Sequence, residues 1–372
     1  MDRLEQYEKF FKLQRRDQEM KYELYANTPL NSLFANGRAF YGSIVGATEH
    51  GQMVVHFETR TTPRLKVPMV LCILRKSSYE KYGSTIQSWS CTSLKFRENF
   101  DVHTSFSDIV PLYFLKDRKT VGCSKVSLEM LNVVRSGLAL HKELKFVMLE
   151  TLPPTELLMN LSDYIHQHQS DENLLLIPKI NYNDWSPVEL KSTDNVPERI
   201  IKVLETSDVC VLQGPPGTGK SYTLGSIISK ITAEKKSVCV TTQSNASLIS
   251  LISQDTMTPA IQNGVISKTV LSAEEKKKYP FLVPADKDLS IAKGCLLCST
   301  YYSLSRIINK VDKAVYDLIV IEEASQAFLT AIAAFVKLGK KCLVVGDPMQ
   351  LPPVVEISNC LLYTSPSPRD RQ

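Results

Sequence analysis

The chain has 372 residues, 43% of them hydrophobic and 22% charged, with a formal net charge of +5. That length points to two or three domains, and the composition is that of a globular protein. So modest a charge admits a polyanionic partner without requiring one. No run of about eighteen apolar residues offers a membrane span, so no membrane partner is expected.

Residues 1–26 place Leu4, Tyr7, Phe10, Phe11, Met20 and Leu24 at roughly helical spacing among charges. This predicts an N-terminal helix and excludes the apolar core of a secretory signal. Pro29 and Gly37 break the pattern. From Arg38 to about Val121, β-branched and aromatic runs are punctuated by glycine, as in AFYGSIVGATEHGQMVVHFETR. A small, mostly β module, a barrel, is expected there. Helical patterns return over 124–168, followed by a looser stretch up to about residue 198.

The densest region comes next. Apolar runs at 209–212, 237–241, 295–299, 317–321 and 342–346 alternate with helical patterns. Near-continuous apolar strands between helices predict an α/β fold with a parallel sheet covered on both faces. Residues 255–293 form a longer polar insertion with the charge run EEKKKYP, expected to be a solvated loop or a small helical insert. The last stretch, 359–372, ends in YTSPSPRDRQ. It is expected to be disordered and non-native. Nine scattered cysteines, several inside apolar runs, fit a reducing compartment, nucleus or cytoplasm. Cys295 and Cys298 make one CxxC. With no second pair nearby it reads as core strand rather than zinc site.

Gly214 to Ser221, GPPGTGKS, follows the apolar run VCVL and precedes the helical SYTLGSIISKI. Glycine freedom lets successive N–H groups converge on phosphate oxygens at a helix N-terminus. Pro215 and Pro216 stiffen the loop. Gly214, Pro215, Pro216, Gly217, Thr218, Gly219, Lys220, Ser221 and Tyr222 are the expected nucleotide contacts, with ATP and Mg²⁺ as cofactors. Lys220 would reach the β- and γ-phosphates, and the Ser221 hydroxyl would serve Mg²⁺. In DLIVIEEASQ, Glu322 directly follows a strand as the second metal-side group, held through water, and Glu323 is the candidate base. In GDPMQLPP, Gln350 is placed to sense the γ-phosphate and Asp347 to support the metal shell.

GPPGTGKS, EEASQ and GDPMQLPP, in this order, resemble motifs I, II and III of superfamily 1 helicases. Within that superfamily they look like the group containing the nonsense-mediated-decay helicase and senataxin. The resemblance covers residues 195–355 well and the N-terminal half more weakly. It implies ATP-driven movement on single-stranded RNA or DNA by a RecA-like domain. TTQSNASLISLI is similar to motif Ia, with Ser244 and Asn245 on the nucleic-acid backbone. LLCSTYYSL is similar to motif Ic, with Thr300 in that role, and Pro352 and Pro353 of motif III are further expected nucleic-acid contacts.

The implied organisation is a stalk helix (1–34), a β-barrel similar to domain 1B (35–122), a helical stalk and linker (123–190) and a RecA-like domain (191–358), with 255–293 similar to domain 1C. Two residues depart from the family pattern. Glu198 stands where a glutamine usually reads adenine, which loosens the preference for ATP, and Glu322 replaces the usual aspartate. Little sequence follows Val355, so truncation before the second RecA-like domain, and its arginine fingers, is expected. Two other readings stay open: a nucleotide-binding switch or scaffold with a protein partner and no hydrolysis, and an AAA+-type ATPase acting on protein.

Overall fold

The computed structural model describes residues 3–47, 52–62, 69–74, 90–94, 100–105, 110–114, 117, 119–124, 128–171, 174, 188–191, 194–263, 266–271, 273–355 and 357. The expected tail, 359–372, lies outside these residues, and so does most of the looser stretch before 198. The chain forms two compact units, Arg16–Pro153 on one side and Met1–Arg15 with Pro154–Gln372 on the other. Helix α1 (Arg3–Ala26) contributes to both. Leu4, Tyr7, Phe10 and Phe11 share its buried face, as the spacing predicts. Met20 and Leu24, expected on that face, are instead exposed.

The Arg16–Pro153 unit holds α2 (Leu30–Ala35), β1 (Ala39–Ala47), β2 (Met53–Phe57), β3 (Met69–Leu74), β4 (Phe100–Ser105), β5 (Val110–Phe114), β6 (Thr120–Ser124), α3 (Leu128–Leu140) and β7 (Leu144–Glu150). The strands make one antiparallel sheet in the order β4-β3-β7-β1-β2-β6-β5. Strand β7 corrects the helical reading of 124–168: LKFVMLE lies between β1 and β3, near the middle of the sheet. Its apolar run is too short to separate strand from helix by periodicity alone. The sheet packs Phe40, Phe57, Phe146 and Met148 into a core with Val134 of α3. Phe57 meets Phe146 edge-on at 5.6 Å.

The second unit is an α/β fold. After α4 (Glu156–Gln167) and α5 (Val196–Thr206) come β8 (Val209–Gln213), α6 (Lys220–Ala233), β9 (Val238–Thr242), α7 (Asn245–Ile252), α8 (Thr258–Asn263), β10 (Ile266–Lys268), α9 (Ala273–Lys278) and β11 (Leu282–Pro284). Then follow β12 (Leu296–Thr300), α10 (Tyr301–Leu304), β13 (Tyr316–Ile321), α11 (Leu329–Val336) and β14 (Gly339–Gly346). The seven strands are parallel, in the order β11-β10-β12-β9-β13-β14-β8. Strands β9 and β12 are buried at every position, and each opens on an apolar run, VCV and LLC, before small polar residues at its carboxyl end. At the end of the order, β8 is more open, with Val211 49% exposed.

The 255–293 insertion is not a loop. Its β10 and β11 extend the sheet beyond β12, with Ile266 opposite Leu296 and Lys268 opposite Cys298. Three-residue strands carry too little pattern to be recognised in a sequence dominated by the EEKKK run. Cys298 is a core residue of β12, and burial pushes its thiol up to about 12, as the core-strand reading of CxxC requires.

In the antiparallel unit, a Cβ at Gly42 would lie 1.9 Å from the backbone oxygen of His56 on β2. Gly42→Ala is therefore expected to destabilise this unit by about 1–3 kcal/mol or more, since backbone must move. Urea unfolding followed by circular dichroism checks this; unchanged stability would refute the close β1–β2 approach.

Candidate nucleotide and nucleic-acid site

A fully buried parallel sheet has its interior filled with apolar side chains, so polar chemistry collects where strands end. Apart from Glu198, which lies on α5 ahead of β8, the candidate residues lie at the carboxyl ends of β8, β9, β12, β13 and β14, the position open α/β sheets use for ligands.

The loop from Gly214 to Gly219 joins β8 to α6. Gly217 and Gly219 have φ of 80° and 81°, a left-handed backbone in which a side chain is strained. A Cβ at either would meet nothing within 4 Å, so conformation rather than crowding selects glycine there. Thr218 Oγ1 donates to the Pro215 carbonyl at 2.7 Å and pins the bend. Lys220, in the first turn of α6, folds back. Its Nζ donates to the carbonyls of Gly214 at 2.5 Å and Pro215 at 2.8 Å. The loop is tied to the neighbouring strand by Gly214 N donating to the Gly346 carbonyl at 3.2 Å.

Glu322 follows β13 and is 7% exposed. Its backbone N–H donates to the Thr241 carbonyl at 2.9 Å, and Tyr301 Oη donates to its carbonyl oxygen. Ser221 Oγ donates to Glu322 Oε1 at 3.4 Å, while Oε2 is buried without a hydrogen-bond partner among the described residues. Burial, with the charge of Glu323 beside it, pushes Glu322 up to about 7. A serine hydroxyl and a buried, half-satisfied carboxylate are the donor set that suits Mg²⁺, which takes few protein oxygens and completes its shell with water and phosphate. No group of three or more His, Cys, Asp or Glu side chains that could together hold a metal occurs among the described residues.

Glu323 has φ of 57°. A non-glycine residue held there costs about 1–3 kcal/mol and marks a position the surroundings enforce. Its Oε2 accepts from Thr242 Oγ1 at 3.0 Å. Asp347 is 4% exposed and its Oδ1 accepts from Met349 N at 2.9 Å, so it braces the turn that carries Gln350, whose N–H donates to the Asp347 carbonyl at 3.0 Å.

Glu198 lies in the first turn of α5, where Asn195 Oδ1 caps its N–H at 3.4 Å. Its carboxylate accepts from Lys230 Nζ at 2.5 Å. The two side chains border a cleft of about 500 Å³ beside the phosphate loop, also lined by Asn195, Tyr222, Thr223 and Ser226. Tyr222, 58% exposed, stands in this cleft. Lys230 was not singled out from the sequence. The signal is present: Tyr222, Ser226 and Lys230 succeed one another at i+4 along α6.

The nucleic-acid candidates divide. Asn245 and Pro352 are exposed and Ser244 is half-buried, whereas Thr300 and Pro353 are buried. Ser244 caps α7, accepting from Ser247 N at 3.2 Å, and Thr300 caps α10, accepting from Ser303 N at 3.2 Å. Both hydroxyls thus serve the helix starts at this edge of the sheet.

Residues 198–359 match the family model described as an AAA domain. The DNA replication ATP-dependent helicase/nuclease DNA2 of Saccharomyces cerevisiae is 26% identical over 172 residues, 44% of this chain and 11% of that protein. The replicase polyprotein 1ab of Alphamesonivirus 1 is 27% identical over 201 residues, 50% of this chain and 4% of that protein. The chain thus spans a small part of the curated relatives it matches. Among solved structures, a nuclease-deletion mutant of the Type ISP restriction-modification enzyme LlaGI with a DNA substrate mimic aligns with 46% of this chain and 19% of its own, at 15% identity and TM-score 0.34. The arterivirus nonstructural protein 10 helicase with DNA aligns with 40% of this chain and 31% of its own, at 19% identity and TM-score 0.26. The second unit is accordingly an α/β domain of RecA type whose matched segment is related in sequence to an ATP-dependent helicase.

Because the pKa of Glu322 is raised, the folded protein holds a proton that the unfolded chain releases between pH 4.5 and about 7. Stability therefore falls as pH rises through that window, by about 3 kcal/mol in total. Glu322→Gln is expected to flatten that fall and to be the more stable protein at pH 8, with the two alike at pH 4. Urea unfolding in metal-free buffer across this range checks it; parallel curves would refute the buried carboxylate.

Proposed function

We propose that the second unit is the ATP-hydrolysing domain of a superfamily 1 nucleic-acid helicase, acting on single-stranded DNA or RNA. The observation that carries this reading is the meeting of Ser221 and Glu322 at 3.4 Å with one Glu322 oxygen unsatisfied, at the strand edge that also carries Glu323 and Gln350. The senataxin-type pattern of the motifs and the sequence relation to the helicase/nuclease both support it. An AAA+-type ATPase working on protein accounts equally well for the phosphate loop but not for the GDPMQLPP turn at the end of β14.

In this reading, Lys220 exchanges its two loop carbonyls for the β- and γ-phosphate oxygens. The exchange keeps the ammonium hydrogen-bonded throughout. Gly217 and Gly219 leave the loop open for backbone N–H groups to converge on the phosphates. Ser221 and Glu322 would hold Mg²⁺, which would neutralise charge on the phosphates. Glu323, oriented by Thr242, takes the proton of the attacking water. Gln350, on the turn braced by Asp347, reaches the γ-phosphate. The base lies in the cleft of Glu198, Lys230 and Tyr222. A carboxylate there only accepts hydrogen bonds, so selection for adenine is weaker than glutamine would give.

The phosphate loop is tested with fluorescent nucleotide. Lys220→Ala is expected to weaken binding by about 100-fold, near 2.7 kcal/mol. Hydrolysis by the wild-type chain should rise with single-stranded oligonucleotide and be lost in Glu323→Gln, which still binds nucleotide. Unchanged nucleotide affinity in Lys220→Ala would overturn the site; binding without any hydrolysis would favour a nucleotide-dependent switch.

A further inference from the structure

Lys268 is the last residue of β10, inside the 255–293 insertion, and its side chain is 0% exposed. A buried ammonium is costly unless each N–H finds an acceptor. Here all three do. Nζ donates to Asn245 Oδ1 at 3.1 Å, to the Val270 carbonyl, and to the Glu275 carboxylate at 3.3 Å. The backbone at Lys268 is fixed as well, since its carbonyl accepts from Ala285 N at 3.0 Å and Thr269 N donates to the Cys298 carbonyl at 3.1 Å.

The consequence falls on Asn245, the first residue of α7, which is exposed. An amide has one end that accepts and one that donates, and a lysine can only donate. Lys268 therefore holds the Asn245 oxygen inward and turns its NH₂ outward. Two N–H donors are thus presented at the strand edge, beside the Ser244 cap. The far end of α7 is tied to the insertion too, through Ser253 Oγ and Tyr279 Oη at 3.0 Å. Helix α7 is clamped at both ends by the segment that contains Glu275 and the exposed Lys276, Lys277 and Lys278 of α9.

We propose that Lys268 is a positioning residue for nucleic-acid binding: it fixes the Asn245 amide as a donor to phosphodiester oxygens and couples that contact to the α9 segment through Glu275. The inference rests on the nucleic-acid reading of the preceding subsection. A purely structural ion pair would not need Asn245, and would not care which end of the amide faces outward.

The test uses the full chain, fluorescein-labelled oligodeoxythymidine and oligouridine in anisotropy titrations, and fluorescent nucleotide as a separate readout. Lys268→Met alone leaves Glu275 without its ammonium, so Lys268→Met with Glu275→Gln removes both charges together. That pair, and Asn245→Ala, are each expected to weaken oligonucleotide binding by about 5- to 10-fold, the loss of an oriented hydrogen bond to a charged group. Nucleotide affinity should be unchanged. The triple variant should bind no more weakly than Asn245→Ala, because the three act through one contact. Asn245→Asp, which keeps an inward oxygen but has no outward donor, should bind at least as weakly as Asn245→Ala. Oligonucleotide affinity at wild-type level in the Lys268 variant or in Asn245→Asp, losses that multiply in the triple variant, or a parallel fall in nucleotide affinity would each overturn the positioning role. A wild-type chain that binds neither oligonucleotide would instead remove the nucleic-acid reading and this inference with it.

Discussion

Strands β9, β13 and β14 run side by side and parallel through the sheet, and Glu322 is the first residue after the central one of the three, 7% exposed. Its main chain is held on both sides, by Thr241 and by Tyr301, before its carboxylate is solvated at all. That is the constraint on which the candidate site depends. An acid forced into such a position is raised toward neutrality and keeps one oxygen unsatisfied. A divalent cation would relieve both conditions at once.

The phosphate loop shows the same logic in reverse. There the stored group is a cation, and it is already satisfied. Lys220 spans the carbonyls of Gly214 and Pro215, so in the proposed reading phosphate would replace existing hydrogen bonds rather than add them to a solvated ammonium. Glu322 and Lys220 thus start from opposite conditions, the one half-satisfied and the other fully hydrogen-bonded to its own loop.

The five strands of the α/β core were legible because each is an apolar run long enough to count and is bounded by turn residues. The observed spans differ from the expected ones by about a residue, as in Val209–Gln213 and Leu296–Thr300, except β14, which starts three residues early at Gly339. The motifs were legible because glycine, lysine and paired carboxylates at strand ends have few other uses. What escaped had one of two causes. LKFVMLE and the short strands β10 and β11 carry no periodicity that separates them from helix or loop. Lys230 and Lys268 are lysines, and a lysine in a sequence reads as solvated surface. Only the packing around Lys268 reveals that this one is enclosed. The exposure of Met20 and Leu24 is the converse: apolar residues at helical spacing that remain in solvent.

The strand that delivers the phosphate loop also lies at the end of the sheet order. Strand β8 is VCVLQ, five residues with no charge and no proline, and Val211 is half exposed on it. The opposite end, β11, is only three residues long and finishes in Pro284. Protein sheets usually blunt their edges in the way β11 does, because an unprotected edge templates pairing with another chain. An edge left unblunted in this way is a liability to self-association, and it lies a few residues from the Gly214–Gly219 loop. Pairing along that edge would engage the folded domain beside the loop rather than an unfolded core.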